Sequence, residues 1–310
     1  MNNAPIRLAL VGIGKIARDQ HIPAIAANPA FELVATVSPS SRVEGVPGFP
    51  DLPSLLAAGL DVQAVSLCTP PEVRTQIARQ ALEAGLHVML EKPPAVALSQ
   101  AQVLVADAEK AQRALFATWH SREAGHVDAA RDWLSGRTLK SVRIAWREDV
   151  RRWHPGQEWI FAAGGFGVFD PGINALSILT RIMPGAVAVE GAALDIPENR
   201  EAPIAASLTM RHACGAPVTA AFDFLQTGPQ TWEIAIETTD GNLLIRDGGS
   251  KMLIDGTAQP DHPDEEYPRL YARFAELVRD SAVDVDLAPL TLVADAFMLG
   301  AQQRVASFEF

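Results

Sequence analysis

Cysteine is scarce: Cys68 and Cys214 are the only two in 310 residues. So small a number, so far apart, makes neither a disulfide framework nor a four-ligand zinc site. Both lie in apolar or strand-like segments, which reads as two buried free thiols in a reducing, cytoplasmic setting. No histidine pair has ligand spacing beside an acidic or thiol partner, so no metal is expected. Long apolar runs are missing too, and none approaches the ~20 residues that span a bilayer. The stretch Met1-Asn2-Asn3-Ala4-Pro5 lacks a basic region followed by an apolar core, so no secretory leader is expected. Positive charge is in deficit, with 26 Lys and Arg against 37 Asp and Glu and a net charge of −11. Nucleic acid and anionic membrane surfaces are therefore poor partners. The deficit leaves room for a phosphate-bearing cofactor, which backbone amides and helix ends hold locally.

What is present suits a globular chain with a sizeable core: 48% hydrophobic and 20% charged residues, in a length that allows about two domains. The runs Ile6–Val11, Phe31–Val37, Ala64–Leu67, His87–Leu90 and 115–118 are short and nearly continuously apolar, as strands buried on both faces are. Helical patterns over 16–27, 52–58, 72–84 and 99–111 alternate with them, and Asn28-Pro29 and Gly85 mark stops. Alternation of this kind predicts an α/β fold with a doubly wound parallel sheet of Rossmann type in residues 1–121.

Beyond Trp119-His120 the pattern changes. A helix over 124–135 leads to a long alternating strand, Leu139–Arg147, and a Gly-rich loop precedes a helix ending near Met183-Pro184. Strands then follow at 188–196, 204–212, 216–225, 232–238, 242–246 and 251–254, with hairpin turn signals at Asp240-Gly241 and Asp247-Gly248. Helices over 267–279 and 289–306 close the chain. Residues 122–310 thus read as an α+β domain with a large, mostly antiparallel open sheet. One face of that sheet suits a partner subunit, so a homodimer is expected.

The segment Gly12-Ile13-Gly14-Lys15-Ile16-Ala17 follows the first strand and opens the first helix. In a dinucleotide fingerprint the first glycine allows a tight turn and the second lets backbone approach the pyrophosphate. The third small residue lets helix pack on strand, and the helix amino terminus holds the negative charge. Gly12, Gly14 and Ala17 fill these places, with Lys15 and Ile16 alongside. At the end of the second strand the chain reads Ser38-Pro39-Ser40-Ser41-Arg42, without a carboxylate until Glu44. Hydroxyls of Ser38 and Ser41 with the Arg42 guanidinium suit a 2′-phosphate. NADP is therefore expected, with NAD accepted. Thr69 and Pro70, after the third strand, fall beside the same crevice.

Glu91-Lys92-Pro93-Pro94 follows the fourth parallel strand, at the carboxyl end where ligands of such sheets bind. A lysine there can relay a proton or hydrogen-bond a reacting oxygen. In Gly164-Gly165-Phe166-Gly167-Val168-Phe169-Asp170-Pro171-Gly172-Ile173-Asn174, Pro171 fits a first helical position, which makes Asp170 a helix cap. Asp170 and Asn174, four apart, share one helix face. The run Trp146-Arg147-Glu148-Asp149-Val150-Arg151-Arg152-Trp153-His154-Pro155 offers aromatic faces, with Trp159 nearby, to a sugar's C–H side. Glu148 and His154 would bond its hydroxyls, and Trp119-His120 points the same way.

Taken together, these segments resemble the Gfo/Idh/MocA family of two-domain oxidoreductases over essentially the whole chain. Within it, residues 12–21, 148–157 and 168–178 are similar to the bacterial aldose 1-dehydrogenases that act on L-arabinose and D-galactose. The resemblance implies an enzyme that oxidises the anomeric carbon of a pyranose to a lactone with NAD(P)+. It implies Lys92 and Asp170 as catalytic residues, and sugar contacts at Glu148, His154 and Asn174, with Trp153 and His120 nearby. L-arabinose is the substrate expected first. Two departures matter. The common family pattern has histidine where this chain has Asn174, and an amide takes no proton at neutral pH. The common Thr-Pro-Asn-x-x-His is here Thr69-Pro70-Pro71-Glu72-Val73-Arg74. The alternatives are a family member acting on another polyol or sugar, and a non-catalytic cofactor-sensing regulator of the same fold.

Overall fold

The computed structural model of the chain describes residues 4–310. Met1 to Asn3, part of the stretch read above for a leader, lie outside the described residues. The chain forms two compact units: residues up to His120 with Glu265–Leu287, and Ser121–Asp264 with Ala288–Phe310. The single boundary expected after residue 121 is thus the first of the crossings between units.

In chain order, the first unit begins with β1 (Ile6–Val11), α1 (Ile22–Ala27), β2 (Phe31–Val37), β3 (Gly48–Phe49) and α2 (Leu52–Ala57). It continues through β4 (Ala64–Leu67), α3 (Pro71–Glu83), β5 (His87–Leu90), α4 (Leu98–Ala111) and β6 (Leu115–Ala117). The second unit holds α5 (Val127–Leu134), β7 (Leu139–Arg147), α6 (Val150–Trp153), α7 (Phe169–Ile182), β8 (Val187–Pro197) and β9 (Ala205–His212). It goes on with β10 (Pro217–Asp223), β11 (Thr231–Thr238), β12 (Gly241–Arg246), β13 (Lys251–Ile254) and β14 (Thr257–Ala258). α8 (Glu266–Asp280) and β15 (Val283–Asp284) return to the first unit, while α9 (Ala288–Leu299) and β16 (Gly300–Val305) belong to the second.

Among the described residues the first unit holds one seven-stranded sheet, ordered β15-β6-β5-β4-β1-β2-β3 and parallel throughout. Alternation along β1 sends Leu8 and Leu10 into a core shared with Phe31, Met89, Tyr271 and Phe274 of α8. Ala9 and Val11 face the other way, against Leu52, Leu55, Ala78, Leu82 and Leu104. Two apolar faces explain the unbroken hydrophobic runs. α8 joins this unit because Tyr267, Leu270, Tyr271 and Phe274 recur at helical spacing and bury together. The strand order reverses between β1 and β4, so their carboxyl ends form a ligand crevice.

The second sheet has nine strands among the described residues, ordered β14-β13-β12-β11-β7-β10-β9-β8-β16. Its pairings are antiparallel except β7 with β10 and β8 with β16. Along β9, buried residues alternate with exposed ones, so one sheet face meets the core and the other stays open. α7 packs on β7 and β11, and α9 on β8. The helix expected over 289–306 stops at Leu299, and β16 takes its last residues as an edge strand. Gly300 makes the turn, where a Cβ would come 2.5 Å from the Ala296 carbonyl oxygen. Cys68 is partly buried, but Cys214, expected inside, is exposed in the β9–β10 turn. Among the described residues no helix is long and apolar enough to cross a membrane, and no His/Cys/Asp/Glu group is arranged to hold a metal.

Candidate active site

The nucleotide end lies at the switch point. Gly12 has φ +89°, and a Cβ there would come 2.8 Å from the Thr69 nitrogen, so only glycine fits between β1 and β4. A Cβ on Gly14 would meet nothing within 4 Å, which leaves its backbone approachable. The helix expected over 16–27 opens as a π-turn, Ala17–His21, before α1. Pro23, in the first turn of α1, has no N–H to donate four residues back, so a regular ladder cannot run through this point. Lys15 forms an exposed ion pair with Asp19, and Ile16 is 36% exposed.

A cavity of about 370 Å³ runs beside these residues, lined by Gly12, Val37, Ser38, Asp51 and Thr69 among others. The Thr69 hydroxyl is buried without a hydrogen-bond partner, an opening for a polar ligand. Pro70 precedes Pro71, the first residue of α3. Ser38 Oγ accepts from the Ser41 N–H at 3.2 Å, and Arg42 folds back to donate to the Ser38 and Ser41 carbonyls at 2.6 and 2.8 Å. Arg18, which the sequence did not single out, reaches the same loop by donating to the Arg42 carbonyl at 3.1 Å. Asp51 was also missed: it caps α2 by accepting from the Ser54 N–H at 2.8 Å. Hydrogen bonds from Ser54 hold its carboxyl below the usual carboxylate range. A cradle of glycines, an orphaned hydroxyl and two arginines at one loop fits a dinucleotide.

The Glu91-Lys92-Pro93 segment follows β5 and is clamped. Arg74, 3% exposed, donates to the Glu91, Pro93 and Thr69 carbonyls. The residue standing in place of the family's common histidine thus braces the lysine segment. Glu91 is 4% exposed, and its Oε2 accepts from the Lys92 N–H at 2.9 Å. Its Oε1 meets the Tyr267 hydroxyl at 2.8 Å and His21 Nε2 at 3.0 Å. Burial alone would raise the Glu91 pKa, but the hydrogen bond and charge of His21 hold it far below the ordinary range. His120, expected to face a sugar, has Nδ1 2.6 Å from Glu266 Oε2 and stacks on Tyr267. Burial lowers its pKa and Glu266 more than restores it, with Lys92 opposing. Trp119 is buried and donates to the Asp286 carbonyl at 2.9 Å.

The second unit carries its own polar cluster. Glu148, 2% exposed, directly follows β7, and its Oε2 accepts from Trp232 Nε1 at 2.8 Å. Its Oε1 has no hydrogen bond, and His154 Nε2 stands 3.4 Å away. The same nitrogen lies 3.7 Å from Asp170 Oδ2, so one imidazole stands between two carboxylates. Asp170 is 4% exposed inside the first turn of α7, whose cap is Val168 rather than Asp170 as expected. Pro171 sits well within that first turn, where its missing N–H costs nothing. Asn174, one turn on, is partly buried on the same helix face. Trp153 tilts against Trp232 at 5.0 Å. Trp146, read as a sugar platform, is 4% exposed and stacks on Trp232 at 5.8 Å, so its face is taken. Trp159 is partly buried in a short 3-10 turn. Trp232 itself was missed, because its register directly opposite Trp146 is set only by strand pairing in the folded sheet.

Comparison with known proteins bears on both units. The model of the oxidoreductase family with an NAD-binding Rossmann fold, GFO_IDH_MocA, matches residues 6–118. The chain is 46% identical to a galactose 1-dehydrogenase of Pseudomonas fluorescens over 304 residues, 98% of this chain and 99% of the relative. The crystal structure of a D-galactose-1-dehydrogenase protein from Rhizobium etli matches with a TM-score of 0.94 at 52% identity, covering 100% of this chain and 99% of that one. A 3-ketoreductase from Actinomadura kijaniata in complex with NADP and TDP-benzene matches at TM-score 0.83 and 20% identity, covering 98% and 100%, a likeness of fold alone. The family model accounts for the nucleotide end and the long run of identity carries the kinship through the second unit: the chain is an oxidoreductase and belongs to the Gfo/Idh/MocA family.

Proposed function

We propose that this oxidoreductase is an aldose 1-dehydrogenase, converting the C1 hydroxyl of a pyranose to the aldonolactone with NADP+ preferred and NAD+ accepted. Likeness over the whole of both chains to two galactose 1-dehydrogenases carries the reading, and supports D-galactose as a substrate. L-arabinopyranose is D-galactopyranose without the exocyclic hydroxymethyl group, and the ring hydroxyls match. One pocket can therefore take both, discriminating by the room beside C5, and the missing group is worth ~1–3 kcal/mol.

Lys92 and Asp170, each within its own unit, are the proton-handling groups that the family resemblance implies, while Glu148, His154 and Asn174 bond ring hydroxyls beside Trp153. A nicotinamide cofactor held along the crevice lined by Gly12, Ser38 and Thr69 would supply the hydride acceptor for C1. Loss of that hydride and of the hydroxyl proton makes the lactone carbonyl, whose oxygen Lys92 can hold by hydrogen bond. The loose 3.4 and 3.7 Å spacings around His154 support this reading, since a sugar hydroxyl can enter among groups not yet bonded to one another. Arg42 and Arg18 at the loop after β2 support NADP, and the Asp51 carboxylate in the same cavity supports tolerance of NAD. The open face of the second sheet supports a homodimer.

Reduced-nicotinamide absorbance with NADP+ or NAD+ and D-galactose, L-arabinose, D-glucose or myo-inositol tests the proposal. Turnover on the first two sugars with little on glucose is expected. No turnover on any of them, with cofactor still bound, would discard the substrate class and favour another polyol. Lys92→Ala should lower kcat by about 10²–10⁴-fold while cofactor binding persists; an active variant removes Lys92 from the mechanism.

A further inference from the structure

The chain has only two tyrosines, Tyr267 and Tyr271, and both stand on α8, four residues apart. Docking a helix needs apolar surface alone, which phenylalanine supplies as well. Here both hydroxyls are spent on one buried polar network. Tyr271, fully buried, has its hydroxyl 2.8 Å from His21 Nδ1, and Ser66 Oγ lies 3.3 Å from the same nitrogen. His21 Nε2 and the Tyr267 hydroxyl converge on Glu91 Oε1. Both rings also meet His21 edge-on, at 4.9 and 5.8 Å. A buried carboxylate and imidazole cost stability beside an apolar core of equal volume. What the arrangement secures is position, because the other oxygen of Glu91 holds the backbone N–H of Lys92.

We infer that Tyr267 is a positioning residue for Lys92, acting through Glu91. Its hydroxyl and the His21 ring hold Glu91 Oε1, Glu91 Oε2 holds the Lys92 peptide, and Arg74 holds the carbonyls on either side. Three restraints on the main chain at residues 91–93 fix the point from which the lysine side chain extends. An error of an ångström in a reacting group costs rate far more than it costs binding. The helix that carries Tyr267 arrives from a distant part of the chain, so α8 serves the lysine segment as well as the core. The inference rests on the reading of Lys92 as a catalytic group.

The test is Tyr267→Phe, assayed with D-galactose and NADP+ for kcat per cofactor-binding site, cofactor Kd and melting temperature. A fall in kcat of about tenfold is expected, with KM and Kd within about twofold of wild type. The kinetic isotope effect on kcat with C1-deuterated galactose should rise as hydride transfer becomes more limiting. A lowered melting temperature with kcat per site unchanged would overturn the inference and leave Tyr267 a purely structural group. Should Tyr267→Phe fold poorly, the isosteric Glu91→Gln carries the same expectation and the same refutation. Lys92→Ala run in parallel separates the two failures. Activity in that variant sinks the reading of Lys92, whereas its inactivity beside a fully active Tyr267→Phe sinks only the positioning role.

Discussion

His21 and His154 both stand against carboxylates, and they could hardly be treated more differently. In the first unit His21 is fully buried, and both ring nitrogens have partners, Tyr271 at 2.8 Å and Glu91 at 3.0 Å. In the second unit the His154 side chain is 19% exposed, and its Nε2 stands 3.4 Å from Glu148 and 3.7 Å from Asp170. Glu91 has both oxygens bonded, whereas Glu148 keeps one buried oxygen without a hydrogen bond. A buried polar network matched within the protein is scaffold; one left part-matched has room for a ligand's hydroxyls. Under the proposed function, the difference separates a group that would hold the machinery from one that would meet the sugar.

Stability should break the comparison first. His21→Leu leaves the Glu91 carboxylate buried without its main partner, and such a loss costs about 3–5 kcal/mol. His154→Leu, at a partly exposed ring, should change stability by less than about 1 kcal/mol. Urea unfolding measures both, and equal losses would make the second cluster as structural as the first. Glu148→Gln sharpens the other side. It should raise KM for the sugar by about 10–100-fold, the worth of a charged hydrogen bond, with an unchanged unfolding midpoint. An unmoved KM would take Glu148 out of the pocket.

The smallest effect lies on the pH axis. Burial, and then the Arg113 charge, pushes the His87 pKa down to about 4, against about 6.5 when unfolded. The unfolded chain therefore binds a proton that the folded chain refuses, and stability falls as pH drops from about 6.5 toward 4. Its neutral Nδ1 accepts from the Ala114 N–H at 2.9 Å, a bond that an amide oxygen can replace. His87→Gln should flatten this limb by about 1–2 kcal/mol after solvent screening. Glu91 titrates elsewhere. With a pKa held low, it stabilises the fold above its unfolded value and yields only as pH falls through its folded one. Unfolding free energies at pH 7 and pH 5 check the His87 limb, and parallel curves for variant and wild type would refute it.

Much of the fold was legible because its signals are local. Runs of four to seven apolar residues bounded by turn residues gave the β1, β2, β4 and β5 strands at their observed bounds. Strands β7 to β13 of the second sheet fell within a residue or two of expectation, since alternation along each strand reports which face is buried, whereas the two-residue β14 was not expected. The closing helix was misread past Leu299, because 300–305 carries no helix breaker stronger than Gly300 and pairs with β8 only by tertiary contact. Asp170 was taken for a cap because Pro171 suits a first helical position, but the turn begins two residues earlier at Phe169 after a αR-shaped Val168.

By itself, then, the sequence determined the alternating first domain, the glycine turn after β1, the lysine at the end of β5 and the family they imply. Each of these depends on residue types within a turn or two of one another. The tertiary structure alone decided that α8 lies with the first unit, that Tyr267 bonds Glu91 across 176 residues, that His21 meets Glu91 across 70, and that Trp232 holds Glu148 across 84. Periodicity tells which side of an element is buried but carries no address for the partner it is buried against, and only the closed fold supplies that address.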